Sequence, residues 1–133
     1  LMYDSSCEDD CHLGAEVQRS HLGKSVHAVH QNSYLGDTVI GDGANIASGV
    51  VTANFDGTPN KKKTEIGFNV FIGVGNYLVA KYPVLRIGNN VATAAGITIR
   101  DDVPDNTFVD PDGKHRPNKL RKVGDYWIRE DKN

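Results

Sequence analysis

The chain has 133 residues, 38% hydrophobic and 24% charged, with 14 glycines, one tryptophan and one methionine. That length holds one domain, the composition excludes a disordered chain, and so many glycines with so few large apolar residues exclude a helical bundle. The formal net charge of −2 and the lack of a basic face with interleaved aromatics exclude a nucleic-acid binder. No apolar run approaches the roughly 18 residues that a membrane span needs.

The charge is uneven. Residues 111–133 hold seven Lys/Arg and four Asp/Glu, a balance of +3, which leaves eight against thirteen, or −5, in residues 1–110. A basic tail of this kind suits an anionic ligand or a solvated end of mixed charge. No secretory pattern is visible, so a cytoplasmic location is the default expectation. The abrupt start at Leu1 is compatible with a fragment of a longer protein.

Residues 1–12 are polar and read as irregular. Cys7 and Cys11 stand in Cys-Glu-Asp-Asp-Cys, with His12 beside them. A structural zinc site takes four ligands, so these three point to free thiols and to no metal.

From Leu13 a six-residue beat begins. It runs through Leu13-Gly14, Leu22-Gly23, Ala28, Leu35-Gly36, Ile40-Gly41 and Ile46-Ala47. It returns in Ile66-Gly67, Ile72-Gly73 and Leu78-Val79, and again in Ile87-Gly88, Thr93-Ala94 and Ile99-Arg100. An aliphatic residue followed by a small one at a fixed short period predicts a solenoid of short parallel strands, a mainly β fold. The aliphatic side chain points inward and stacks on its counterpart in the next coil, while the small residue turns the corner.

Two segments break the beat. Residues 54–65 contain Asp-Gly and Thr-Pro and read as a protruding loop; residues 81–86 form a shorter interruption. After Val103-Pro104 the beat stops. Residues 109–133 read as a turn-rich C-terminal tail, with Leu120 to Ile128 as a short helix or strand and Tyr126 and Trp127 packing on the last coil. The domain organisation expected is thus an N-terminal segment 1–12, a solenoid 13–108 and a tail 109–133.

Two stretches carry more than the beat: Ala-Val-His-Gln-Asn-Ser-Tyr-Leu-Gly-Asp at 28–37 and Ala-Asn-Ile-Ala-Ser-Gly-Val-Val-Thr-Ala-Asn-Phe-Asp at 44–56. With the lysine-rich loop, Phe71-Ile72-Gly73, Leu78-Val79-Ala80 and Ala94-Ala95-Gly96, their order resembles the C-terminal acetyltransferase domain of bifunctional N-acetylglucosamine-1-phosphate uridyltransferases. Hexapeptide domains of sugar-1-phosphate nucleotidylyltransferases are similar. The resemblance spans about residues 13–104. It implies a left-handed parallel β-helix of hexapeptide repeats, with about five triangular coils of three beats each. It also implies a homotrimer with sites between subunits, and acetyl transfer from acetyl-CoA to the amino group of glucosamine-1-phosphate.

On that resemblance His30 falls on the catalytic base. Tyr34, Asn45, Asn54 and Lys61 fall on substrate contacts, and Ala94, Ala95 and Arg100 on the coenzyme A path. The chain also departs from the pattern. Three residues, not two, separate His30 from Tyr34. Gln18 stands where the family has a phosphate-binding lysine, Phe55 replaces a tyrosine and Val74 a serine. A further phosphate-gripping arginine would precede Leu1. Losing charge-assisted contacts to phosphate leaves the acceptor open among an amino sugar, a sugar phosphate and a sugar nucleotide.

The chemistry suits these residue types. An amine must lose a proton to attack a thioester, and a neutral imidazole takes one near neutral pH. Backbone N–H groups at coil corners can meet the oxyanion. Two other readings use the same scaffold. One is a non-catalytic trimerising or ligand-binding module. The other is a zinc enzyme of the γ-carbonic-anhydrase kind, whose histidine spacing His21, His27 and His30 do not reproduce.

Overall fold

A computed structural model describes residues 1–130, and its secondary structure there is all strand. Residues 131–133 of the expected tail lie outside the described residues. The parallel β-helix expected from the beat is present: the chain visits three faces in turn and stacks each strand on the one a coil earlier. Strands are numbered in chain order. Face A holds β1 (Met2–Tyr3), β4 (Glu16–Gln18), β7 (Tyr34–Gly36), β10 (Val51–Ala53), β13 (Tyr77–Val79) and β16 (Thr98–Ile99). Face B holds β2 (Ser6–Cys7), β5 (His21–Leu22), β8 (Thr38–Ile40), β11 (Lys63–Ile66) and β14 (Val84–Ile87). Face C holds β3 (His12–Leu13), β6 (His27–Ala28), β9 (Asn45–Ile46), β12 (Phe71–Ile72), β15 (Ala92–Thr93), β17 (Thr107–Val109) and β18 (His115–Pro117).

The inward residues are those of the beat. Leu22, Leu35, Ile40, Ile46, Ile72 and Leu78 are fully buried, and Ile66, Ile87 and Ile99 nearly so. Because side chains alternate along a strand, fixing these inward fixes their neighbours outward. On face A the outward row is Glu16, Tyr34, Val51, Tyr77 and Thr98; on face B it is Ser6, His21, Val39, Glu65 and Arg86.

Register records each interruption. Partners are eighteen residues apart between Glu16 and Tyr34, twenty-six between Val51 and Tyr77, and twenty-one between Tyr77 and Thr98. The excess is absorbed at one corner, between faces A and B. Both interruptions are shorter than the sequence suggests. Lys63–Ile66 and Val84–Ile87 already pair along four residues each, so the loop leaving the ladder is 54–62 and the lesser one is 81–83.

Both chain ends are more ordered than expected. Residues 1–12 carry β1, β2 and the start of β3, each paired in parallel with the following coil. Cys7 pairs with Leu22 in register and Cys11 packs against the same core, so both take inward positions that aliphatics fill elsewhere. The charged spacer that makes this segment look irregular is only its corner. In the expected tail, β17 still stacks on β15, and β18 runs antiparallel to it. Asp110 organises that turn by accepting from the Asp112 and Lys114 amides and from Arg116. Strands β19 (Leu120–Val123) and β20 (Tyr126–Arg129) then form a hairpin. It runs back along the prism from the last coil: Arg129 lies over the Phe108 ring at 6.0 Å, Trp127 meets Phe71 with ring centroids 5.9 Å apart and Lys122 Nζ donates to the Gly43 carbonyl at 2.6 Å. Tyr126 is exposed.

No helix among the described residues is long and apolar enough to cross a membrane. Both cysteines are free thiols, and burial together with the neighbouring Cys11 pushes Cys7 up to about 11. Two outcomes follow from this packing. Leu78→Ala removes a fully buried layer and is expected to cost about 3 kcal/mol in denaturant unfolding. Alkylation of Cys7 at pH 8 is expected to be slower than that of a free cysteine, measured by mass spectrometry of the labelled protein.

Candidate functional site

The corner between faces A and B builds the most featured hollow. As β4 ends, Arg19 turns the chain with φ 48°, and one coil on Asp37 does the same with φ 49°. The stacking brings their side chains together: Arg19 Nε and Nη2 donate to the two Asp37 carboxylate oxygens at 2.8 and 3.2 Å. From the next coil Asn54 Nδ2 donates to Asp37 Oδ2 at 2.7 Å. The Arg19 guanidinium, the Asn54 amide and the charge of Lys61 together hold the Asp37 carboxyl below its ordinary range, against a smaller effect of burial. Asp37 in turn raises Arg19.

The loop 54–62 roofs this network. Asp56 Oδ1 accepts from the Thr58 amide at 3.0 Å and the Thr58 hydroxyl at 2.6 Å, a local turn that fixes the loop's shape. Lys62 closes it with an ion pair to Asp56 at 2.7 Å. Beneath lies a cavity of about 390 Å³ bordered by Arg19, Tyr34, Asp37, Asn54 and Lys61, with Phe55 at its edge. Gly36 leaves room for this arrangement: a Cβ there would displace the Tyr34 hydroxyl and the Asn54 amide. The three lysines therefore differ in role. Lys61 faces the hollow, Lys62 braces the loop and Lys63 opens strand β11.

The opposite edge of face A, where face C turns into it, carries His30. His30 is exposed in the turn after β6, and its carbonyl accepts the Ser33 amide at 3.2 Å. The additional residue between His30 and Tyr34 is absorbed by this turn. Asn32 reaches to the next coil and accepts from Ser48 Oγ at 3.1 Å and the Gly49 amide at 3.2 Å. Below it the same corner is turned by Gly49, Gly75 and Gly96, all with φ between 70° and 74°. With Ala95 exposed beside Gly96, this corner is a column of mostly small residues running along the prism from His30, with Val74 as its exposed larger member.

The sequence-assigned residues thus divide between two edges. Tyr34, Asn54 and Lys61 meet in the hollow. His30, Ala94 and Ala95 share the glycine corner. Asn45 lies in β9 on face C, between His27 and Phe71 in register, and is not brought to the hollow. Arg100 follows β16 at the A–B side and is not brought to Ala94 and Ala95. Gln18 donates to Glu16 within its own strand at 2.7 Å and accepts from Arg19 Nη1 at 3.3 Å. Arg19 and Asp37, the strongest electrostatic pair of the hollow, escape motif reading. Their signal is a corner position repeated one coil apart, eighteen residues in sequence.

No family model matches the chain. It is similar to bacterial proteins named Bifunctional protein GlmU. Identity is 46% over 82% of this chain in the protein of Thermosynechococcus vestitus, 43% over 76% in that of Bifidobacterium longum and 44% over 86% in that of Pseudomonas fluorescens. The chain spans about a quarter of the length of these relatives, covering 24%, 21% and 26% of them, at their C-terminal end. Among solved structures it is similar in fold to AntD, an N-acyltransferase from Bacillus cereus. A complex of AntD with dTDP-4-amino-4,6-dideoxyglucose and coenzyme A matches with TM-score 0.66 and 19% identity, over 92% of this chain and 77% of that one.

The Asp37 network has a pH signature. A carboxyl held low in the fold stabilises it above the unfolded carboxylate's range, and that contribution is lost as pH falls through the folded value. The unfolding free energy is expected to fall more steeply below about pH 4 in the native chain than in Asp37→Asn. Denaturant titrations of both across that range measure the difference.

Proposed function

This chain is homologous to the C-terminal segment of the GlmU proteins, and on that footing we propose that it is an acyltransferase. It moves acetyl from acetyl-CoA to the amino group of an amino sugar that carries an anionic substituent, with His30 as general base. The observation that carries the reading is the hollow under loop 54–62: two cations, Arg19 and Lys61, beside a carboxylate, an amide and a phenol. Arg19 and Lys61 suit a phosphate oxygen cluster, while Asp37, Asn54 and Tyr34 offer hydrogen-bond partners to sugar hydroxyls and an amine.

Bound acetyl-CoA supplies an activated thioester. The column of Gly49, Gly75 and Gly96 with Ala94 and Ala95 suits an extended, flexible arm, because the glycines carry no Cβ to keep it from the backbone. His30 at its head accepts the amine proton as the new C–N bond forms. The His30 imidazolium then gives that proton to the thiolate that leaves as the C–S bond breaks, and the neutral imidazole is restored. Atoms balance with no further reactant: amine and thioester give amide and thiol.

The division of residues between two edges of face A supports a site assembled between subunits of a homotrimer. One chain offers the hollow and a neighbour the glycine corner. The cytoplasm is the compartment where acetyl-CoA and sugar phosphates meet, and that location is part of the same proposal.

The test is thiol release from acetyl-CoA across a panel of amino sugars with and without phosphate. Release with at least one phosphorylated acceptor is expected, and His30→Ala is expected to lower it by roughly 10²–10⁴, the usual contribution of a general base. Unchanged turnover in His30→Ala overturns the mechanism. Binding of acetyl-CoA with no release on any acceptor leaves the ligand-binding module as the reading.

A further inference from the structure

We propose that face B carries a second nucleophilic centre. Ser6, His21 and Glu8 form a serine–histidine–carboxylate relay that hydrolyses short, neutral acyl esters through an acyl-Ser6 intermediate. Of the residues assigned to acetyl transfer it borders only Arg19, so it stands or falls apart from that reading.

Alternation of side chains around β2 builds the relay. Cys7 turns inward and pairs with Leu22 in register, so Ser6 and Glu8 on either side of it point outward. The Ser6 amide donates to the Ser20 carbonyl and the Glu8 amide to the Leu22 carbonyl, each at 3.0 Å, which pins this stretch to the following coil. On that coil His21 stands opposite Ser6. Its ring reaches between the two outward residues: Nδ1 lies 2.5 Å from Ser6 Oγ, and Nε2 lies 3.4 Å from Glu8 Oε2. An ionised carboxylate has no proton to donate. Glu8 therefore favours the tautomer with the ring proton on Nε2, which leaves the Nδ1 lone pair to accept from the Ser6 hydroxyl. A hydroxyl on a base whose far side is held by a third group is the arrangement that activates a nucleophile, recognised by roles and not by order in sequence.

The surroundings admit a substrate. All three side chains are exposed. Ser6 and His21 border an open hollow of about 580 Å³ with Arg19, Asp4 and Val39. Val39 follows His21 in register on the next coil and is 50% exposed although it stands mid-strand, an apolar floor for a short alkyl group. Arg19, fixed by Asp37, puts positive charge beside a developing oxyanion. Asp4 on the same lining disfavours an anionic ester.

The chemistry closes without a further reactant except water. Ser6 Oγ attacks the ester carbonyl carbon as its proton passes to His21 Nδ1. The bond to the leaving alcohol breaks, and the alkoxide takes that proton. Water then gives a proton to Nδ1 as it attacks acyl-Ser6. The carboxylic acid leaves and Ser6 regains its hydroxyl proton from Nδ1.

The test uses two probes on the intact protein: a fluorophosphonate, which traps an activated serine with loss of fluoride, and p-nitrophenyl acetate as the ester. Mass spectrometry is expected to find one phosphonyl adduct on the peptide that contains Ser6, absent in Ser6→Ala. His21→Ala is expected to lower both the labelling rate and kcat for the ester by roughly 10² or more. Glu8 acts through His21 as a positioning residue. Glu8→Gln is expected to lower kcat about tenfold with KM unchanged, a small part of the roughly 10⁴ that the same change costs in a buried triad. Nitrogen-15 NMR of the native chain is expected to show the neutral His21 ring protonated on Nε2, and Glu8→Gln to shift the proton toward Nδ1. The relay is overturned by the absence of an adduct on Ser6, by labelling at the native rate in His21→Ala, or by ester hydrolysis at the native kcat in Ser6→Ala. A native His21 ring protonated on Nδ1 contradicts it as well, and that measurement needs no variant to fold.

Discussion

The structure depends on parallel stacking of one coil on the next with inward residues in register. Every strand here is two to four residues long, too short to be stable alone. Each is held because its backbone groups pair with the coils above and below and its inward side chain meets a like one there. The corners must then stack too, and stacked corners create columns of residues far apart in sequence. Arg19 above Asp37 is one such column, and Gly49, Gly75 and Gly96 are another. The functional geometry is a consequence of that repeat.

The same constraint explains where irregularity is tolerated. An insertion inside a strand would slip the register and turn the core residues outward. An insertion at a corner only lengthens the step to the next coil. Loop 54–62 and the short break at 81–83 both leave from the A–B corner, and the ladders beyond them resume in register. The longer loop therefore hangs beside Arg19 and Asp37 and roofs them. At the other edge the extra residue after His30 is taken up in the same way, with Asn32 capping the next corner.

Much of this was legible in the sequence. The aliphatic–small beat identifies the inward positions from Leu22 to Ile99, and the turn chemistry of Asp56-Gly57 and Thr58-Pro59 marks the loop. The resemblance to the acetyltransferase family places Tyr34, Asn54 and Lys61, which do share one hollow. Other features were hidden for physical reasons. Cys7 and Cys11 lack aliphatic character, so the first coil reads as irregular although both fill core positions. The hairpin at 120–129 has ordinary strand chemistry, and nothing local says that Lys122 will reach Gly43, 79 residues away. Arg19 carries no motif; its role arises from register with a corner one coil later, which only the folded ladder supplies.

Within one chain His30 and the Lys61 hollow lie on opposite edges of face A, so the proposed site forms where two copies meet. Complementation tests it most directly. His30→Ala and Lys61→Ala are prepared separately, each with little activity, then unfolded together and refolded as a mixture. Mixed oligomers are expected to regain acetyl transfer well above either parent refolded alone, because some interfaces pair an intact His30 edge with an intact Lys61 hollow. A mixture whose oligomers exchange subunits yet stay as inactive as the parents would contradict it.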